Sequence, residues 1–240
     1  MTKAAKGLVV ITGASSGIGL AAARAFGAAG HPLLLIARRM EPLPDFAGKP
    51  VRYASADVAD YEAFEQAVRG AEQDFGATDC LVNAAGFVDA RPLEEVSPAD
   101  YVREVRTNLL GVMNGIKVVL AGMKARQAGT IINVSSVSDR KTAPVALAYT
   151  ASKYGVRAVS ESLQEAEGKN GIRVINIAPG YVKTKIHEKM GISFEDYRRR
   201  LGNPDFMSAD ELAQIILYCY QLPPHICIRD LVVTPTKTTF

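Results

Sequence analysis

Cysteine is scarce in this sequence. Cys80, Cys219 and Cys227 are the only three, and their spacing matches no metal site. An odd count without a framework excludes a disulfide-stapled secreted domain and fits a reducing compartment, so a cytoplasmic location is expected. Cys80 falls in an apolar strand-like run, where a thiol behaves as a small apolar group. Long apolar runs are absent too. No stretch reaches the ~18 residues a membrane-spanning helix needs, and Met1-Thr2-Lys3-Ala4-Ala5-Lys6 leads into the first strand without an apolar signal segment. A one-sided charge is also missing. The formal net charge of +3 is too small to argue for nucleic acid. The densest basic cluster, Arg198-Arg199-Arg200, shares a short helical-looking stretch with Glu195 and Asp196 and reads as a solvated face. No repeat or Pro/Ser-rich linker divides the 240 residues, which suffice for a single domain spanning 1–240 with a sizeable core.

What is present is an alternation. Strand-like apolar runs at 8–12, 33–37, 51–54, 79–83, 130–135, 172–177 and 231–234 are separated by helix-like stretches at 17–29, 61–75, 98–126, 149–167 and 208–221. Short, almost continuously apolar strands alternating with helices imply an α/β doubly wound Rossmann fold, a seven-stranded parallel sheet with helices on both faces. The expected strand order is 3-2-1-4-5-6-7. Residues 41–50 hold Pro42, Pro44, Gly48 and Pro50 and read as a loop where a fuller dinucleotide domain carries a helix. In such a fold ligands lie beyond the carboxyl ends of the strands. Those ends carry Gly13, Arg38, Asp57, Asn83, Ser136 and Pro179.

Two motifs give that edge its chemistry. Leu8-Val9-Val10-Ile11 is followed by Thr12-Gly13-Ala14-Ser15-Ser16-Gly17-Ile18-Gly19 and then a helical stretch. A glycine-rich turn entering a helix lets a pyrophosphate approach the backbone and meet free N–H groups. Tyr149 and Lys153 stand four residues apart, with Ser136 thirteen residues before the tyrosine. Positions i and i+4 share a helix face, so phenol and ammonium can enter one pocket. A neighbouring positive charge is expected to lower the phenol's pKa toward neutrality and so activate it as an acid/base. Alone, Tyr-x-x-x-Lys is usually a surface pair, Ser136 a strand-end turn residue and Asn108 a buried hydrogen-bonding group. Their joint occurrence with the glycine turn argues otherwise.

Together these motifs resemble the short-chain dehydrogenase/reductase family, whose glycine pattern is Thr-Gly-x-x-x-Gly-x-Gly. Further marks fall in order: Asn83-Ala84-Ala85-Gly86, Asn108-Leu109-Leu110-Gly111, Ile131-Ile132-Asn133-Val134-Ser135-Ser136 and Pro179-Gly180-Tyr181-Val182-Lys183-Thr184. The likeness spans about residues 7–236. One departure is Ala84, where the family often has a second Asn. The resemblance implies a hydride transfer between a nicotinamide and a carbonyl or alcohol. Tyr149 would be the acid/base, and Lys153 would tune it and hold the nicotinamide ribose. Ser136 would polarise the carbonyl, and Asn108 would hold a relay water. The cofactor would contact Gly13, Ser15, Ser16, Gly17, Ile18, Gly19, Asp57, Val58, Asn83, Ala84, Ala85, Gly86, Tyr149, Lys153, Pro179, Gly180, Val182 and Thr184. Ala37 stands where an acid would bind the ribose of NAD, and Arg38-Arg39 follow. Guanidinium forks suit a 2′-phosphate, so NADP is expected.

No metal is implied. The partner would be a small carbonyl or hydroxyl compound, neither nucleic acid nor membrane. The substrate loop would run from about 185 to 206, with Ile186, His187, Met190, Ile192, Phe194 and Tyr197 as an apolar wall. The C-terminal stretch resembles the branch holding NADP-dependent serine and 3-hydroxy acid dehydrogenases. The helix from Tyr149 is apolar on several sides (Ala151, Gly155, Val156, Ala158, Val159, Leu163), so a homotetramer or homodimer is expected. Two other classes stay open: a transient-oxidation enzyme such as a nucleotide-sugar epimerase, and a non-catalytic NADP-binding redox sensor or interaction protein.

Overall fold

Strand β1 (Leu8–Thr12) is apolar at every core position and buried along its whole length, as is β2 (Leu33–Ala37). A strand apolar on both sides must be covered on both faces. A computed structural model, describing residues 6–142, 144–185 and 192–237, shows how. β3 (Val51–Ser55), β4 (Thr78–Asn83), β5 (Gly129–Val134), β6 (Ile172–Pro179) and the last strand, β9 (Asp230–Val233), complete a seven-stranded sheet in the order β3-β2-β1-β4-β5-β6-β9. Every pairing is parallel. The order is the expected one, with β9 as the seventh strand.

Alternate residues face opposite sides of a strand, and two cores result. Val9, Ile11, Leu33, Leu35, Val82 and Ile175 pack with Phe26 of α1 (Gly17–Ala28) and Leu212 and Ile216 of α7 (Ala209–Gln221). Leu8, Val10, Leu34, Leu81, Ile131 and Val174 pack with Phe64 of α2 (Tyr61–Phe75), Val119 of α4 (Gly111–Arg126) and Val156 of α5 (Leu147–Glu167). Cys80 is fully buried in the first core.

Three features bear on the site, of which the loop at 41–50 agrees with the sequence reading and the other two were not foreseen. The stretch 98–126 is α3 (Pro98–Val105) and α4 joined by a π-helical turn, Arg106–Leu110. Extra residues in such a turn re-aim side chains, and Asn108 lies within it. The loop at 41–50 contains one 3-10 turn, Pro44–Phe46, and no α-helix. The stretch expected as the substrate loop is flanked by two short parallel strands, β7 (Val182–Lys183) and β8 (Met207–Ser208), and carries α6 (Phe194–Arg200). Phe206 gathers Tyr181, Phe194 and Tyr197 at ring-centroid distances of 5.5, 5.0 and 6.1 Å, an aromatic wall. Ile186, His187 and Met190 lie outside the described residues.

Candidate active site

Beyond the carboxyl ends of β1, β4, β5 and β6 lies a cavity of about 430 Å³, lined by Ser136, Tyr149 and Lys153 together. Each is placed by the fold. Ser136 follows β5, and its Oγ accepts from Ser138 N at 3.1 Å, starting a turn that runs Val137–Asp139. Tyr149 and Lys153 are one turn apart on α5, with the Lys153 ammonium 5.5 Å from the centre of the tyrosine ring. Lys153 is 5% exposed and donates to the Val134 carbonyl at 2.9 Å.

The electrostatics differ from the sequence expectation. Burial pushes the Tyr149 phenol up to about 12, against a hydrogen bond with Ser136 that lowers it, while Glu104 and Asp139 add to the rise. Burial also brings Lys153 down to about 8, partly offset by Asp139 and Glu104. Burial sets the direction at the phenol. The Lys153 ammonium is turned onto the Val134 backbone carbonyl. Near neutrality Tyr149 is a phenol and Lys153 an ammonium.

Asn108 is fully buried, and both ends of its amide are used: Nδ2 donates to Phe87 O at 2.8 Å and Oδ1 accepts from Phe87 N at 3.0 Å. Its side chain is a clamp on the chain after β4, where a water-holding role was expected. Lys153 stands close by. A Cβ added to Gly86 would lie 3.1 Å from Asn108 Oδ1 and 3.9 Å from Lys153 Nζ.

The glycine turn is shaped by close approach. Gly13 has φ +67°, and a Cβ there would sit 2.8 Å from Ala84 O; a Cβ on Gly19 would sit 2.4 Å from Gly13 O. Thr12, outside the expected site, ties the turn to β4: its Oγ1 accepts from Ala84 N at 3.0 Å and Ala85 N at 3.1 Å. Ser15 and Ser16 are exposed. Ser16 caps α1 without a side-chain bond, and the first turn holds no acid. Gly17 faces Thr184, whose Cγ2 would be 3.3 Å from an added Cβ, so the two ends of the motif set meet. Ile18, Ala84, Gly86, Pro179, Gly180 and Val182 line the cavity. Ser135, lining it as well, has a buried Oγ with no partner among the described residues.

Other expected contacts are placed elsewhere. Arg38 and Arg39 are exposed at the end of β2 with no carboxylate partner among the described residues. Asp57 lies on a separate groove beside Arg103 and Arg106. Val58 is buried under α4, where a Cβ on Gly111 would meet its Cγ2, and its carbonyl accepts from Asn114 at 2.9 Å. Asn83 turns inward: its Nδ2 donates to Asn133 Oδ1 at 2.9 Å, and Asn133 in turn donates to Ser160 Oγ at 2.9 Å. That chain locks β4 to β5 and α5, so the Asn83 side chain serves the core. Phe87, Val88, Ser138, Lys141, Tyr181 and Leu201 line the cavity without having been singled out for it. Proximity in sequence to Gly86, Ser136 and Gly180 could have flagged the first five, and Leu201 falls within the stretch expected as the substrate loop.

With this geometry, the sequence pattern of the short chain dehydrogenase family matches residues 7–192. The chain belongs to that family. Sulfoacetaldehyde reductase 2 of Chromohalobacter salexigens is 33% identical over 96% of this chain and 94% of its own length. Glycine betaine reductase ATRR of Emericella nidulans is 29% identical over 95% of this chain, which spans only 18% of that longer protein. Among solved structures, a serine dehydrogenase complexed with NADP+ is 25% identical and superposes with a TM-score of 0.89 over 97% of this chain and 96% of its own. By family the protein is an oxidoreductase acting on alcohol or carbonyl groups. No helix among the described residues is long and apolar enough to cross a membrane.

Proposed function

We propose that the protein is an NADP-dependent carbonyl/alcohol oxidoreductase in which Tyr149 exchanges a proton with the substrate oxygen. The observation that carries this reading is the convergence of Ser136, Tyr149 and Lys153 on one cavity beside the glycine turn. The residues present fit the dinucleotide. The uncapped start of α1, with Ser15 and Ser16 beside it, would hold the pyrophosphate. Arg38 and Arg39, exposed and with no carboxylate partner among the described residues, would hold the 2′-phosphate. The NADP+ bound by the similar serine dehydrogenase supports the same choice. The nicotinamide supplies or takes the hydride when bound. Tyr149 in its phenol form can give a proton to a carbonyl oxygen, and Ser136 orients that oxygen. Lys153, as an ammonium, stabilises the phenolate left behind. Asn108 fixes Phe87, and with it the wall the substrate leans on.

Among the described residues lining the cavity are two lysines, Lys141 and Lys153, and no carboxylate. Lys141 has no acidic partner among the described residues. That charge balance favours a small substrate bearing an acidic group, as sulfoacetaldehyde and serine do. The three free thiols fit a reducing, cytoplasmic setting. An exposed stripe on α5 (Leu147, Ala151, Tyr154, Ala158) beside Leu110 and Met113 supports self-association through α4 and α5. Sedimentation should show a dimer or tetramer of the 25.7 kDa chain; a monomer alone would refute the self-association.

The central test is Tyr149→Phe, assayed by NADPH consumption on small acidic aldehydes and ketones. Turnover should fall about 10²–10⁴-fold, while NADPH affinity, read by fluorescence titration, is retained. A variant keeping more than about a tenth of the rate, against that expectation, would remove Tyr149 from the chemistry. A wild-type protein that binds NADPH and turns over nothing would support the sensor reading instead.

A further inference from the structure

Glu104 is a buried acid that the hydride-transfer chemistry does not use. It is 1% exposed and sits in the last turn of α3, four residues before Asn108. Both side chains grip one segment. Asn108 takes both backbone polar groups of Phe87, and Glu104 Oε1 accepts from Asp89 N at 2.9 Å. Two residues farther along, Arg91 bonds the Asp89 carboxylate and reaches Asp100 at 3.1 Å, tying the segment back to the start of α3. Between and after these rungs, Phe87, Val88 and Ala90 line the cavity.

The charges facing Glu104 come from three directions. Asp89 opposes its ionisation; Arg103 on its own helix and Lys153 on α5 favour it. Its field in turn reaches both Lys153 and Tyr149. Asp139, after β5, acts on the same two groups in the same sense. Burial dominates the balance at Glu104 and brings its carboxyl up to about 7. The group therefore changes charge near neutrality, at the back of the site.

We propose that Glu104 is a positioning residue: it sets the cavity wall by holding Asp89, and its carboxylate supplies the negative charge that supports the Lys153 ammonium. This rests on the reading that Tyr149 and Lys153 run the proton transfer. An ionised Glu104 raises both Lys153 and Tyr149. Removing that charge moves both downward. The alkaline limb of the carbonyl-reduction profile, where Lys153 loses its proton, then shifts to lower pH. The limb of alcohol oxidation, where Tyr149 loses its proton, shifts the same way. A residue that only packed would not move both limbs together.

The test uses the full chain as wild type, Glu104→Gln and Glu104→Leu. Gln keeps an acceptor for Asp89 N and discards the charge; Leu discards both. In wild type the Asp89 amide resonance should titrate with a midpoint near 7, and Glu104→Gln should abolish that titration. This readout needs no turnover, so it stands or falls apart from the reaction itself. In rate profiles, Glu104→Gln should shift both limbs to lower pH with KM near wild type. Glu104→Leu should add a rise in KM, because the wall is freed. If the Asp89 amide titrates alike in wild type and Glu104→Gln, or the pH profiles superpose, the proposal is overturned. Loss of folding in Glu104→Leu would not rescue it, since the Gln variant and the wild-type titration decide alone.

Discussion

Helices α2, α3, α6 and α7 begin one way, and α1 and α5 begin another. Asp60, Ser97, Ser193 and Ser208 each cap their helix with a side-chain bond, and each first turn carries an acid. These are the starts that helix physics favours, because four N–H groups need partners and the positive end of the dipole attracts negative charge. α1 and α5 have no side-chain cap and no acid in the first turn. Ser16, a good capping residue by type, makes no cap bond, and Ala146, a poor one, precedes α5 in a left-handed conformation (φ 59°, ψ 45°). These two helices start at the candidate site: Ile18, Ala146 and Tyr149 line its cavity. α4 also lacks a side-chain cap and a first-turn acid, but it continues directly from the π turn and has no free start. At α1 and α5 the local stability rules are relaxed where a ligand would complete the helix.

The sharpest way to break this contrast is to make α1 start like the others. Ser16→Asp places an acid where phosphate is expected to sit. Without cofactor the helix gains about 0.3–1 kcal/mol from its dipole, so the melting temperature should rise or hold. NADPH affinity should fall tenfold or more, about 1.4 kcal/mol or above, through like-charge repulsion. Calorimetric titration and thermal melting give the two numbers. An unchanged affinity would mean that the open start of α1 is not the phosphate site.

The opposite substitution belongs to α7. There Ser208 Oγ accepts from Glu211 N at 3.1 Å, and Glu211 Oε2 accepts from Ser208 N at 2.6 Å, a reciprocal box. Ser208→Ala should cost about 1 kcal/mol of stability and leave NADPH affinity as it was. A loss of affinity comparable to that of Ser16→Asp would erase the distinction between the two classes of helix.

The same contrast explains what the sequence made legible. Apolar strands such as Leu33–Ala37 announce themselves because burial on both faces leaves no polar alternative; the edge strands β3 and β9, only partly buried, were legible from short apolar runs in the β/α alternation. Gly13 and Gly19 were legible because no side chain fits there. Tyr149, Lys153 and Ser136 were legible as a constellation, and the fold gathers them. The charge state of that constellation was not. Spacing shows that Lys153 and Tyr149 share a helix face, but burial, which pushes Tyr149 up, depends on every element packed over the site. The inward turn of the Asn83 side chain was hidden for a related reason. Its motif suggests a cofactor contact, yet its amide bonds to Asn133, a partner fifty residues away that only the β4–β5 register reveals. Glu104 was overlooked because an acid on an amphipathic helix ordinarily faces water. The π turn at 106–110 and the chain after β4 enclose it.

The smallest effect tests the strain before α5. Alanine in the left-handed region costs about 1–2 kcal/mol relative to its preferred backbone, and glycine adopts that region freely. Ala146→Gly removes the strain but adds freedom to the unfolded chain, which returns about 0.4–1 kcal/mol. The net should be a stabilisation of about 0.5–1 kcal/mol, read as a modest rise in melting temperature. If the strained residue holds the first turn of α5, and so Tyr149, at its place in the cavity, the same variant should turn over more slowly despite being more stable. Stability rising while kcat falls would mark Ala146 as part of the site's geometry. A variant less stable than wild type would show that the left-handed conformation is no burden, and the contrast would then rest on α1 alone.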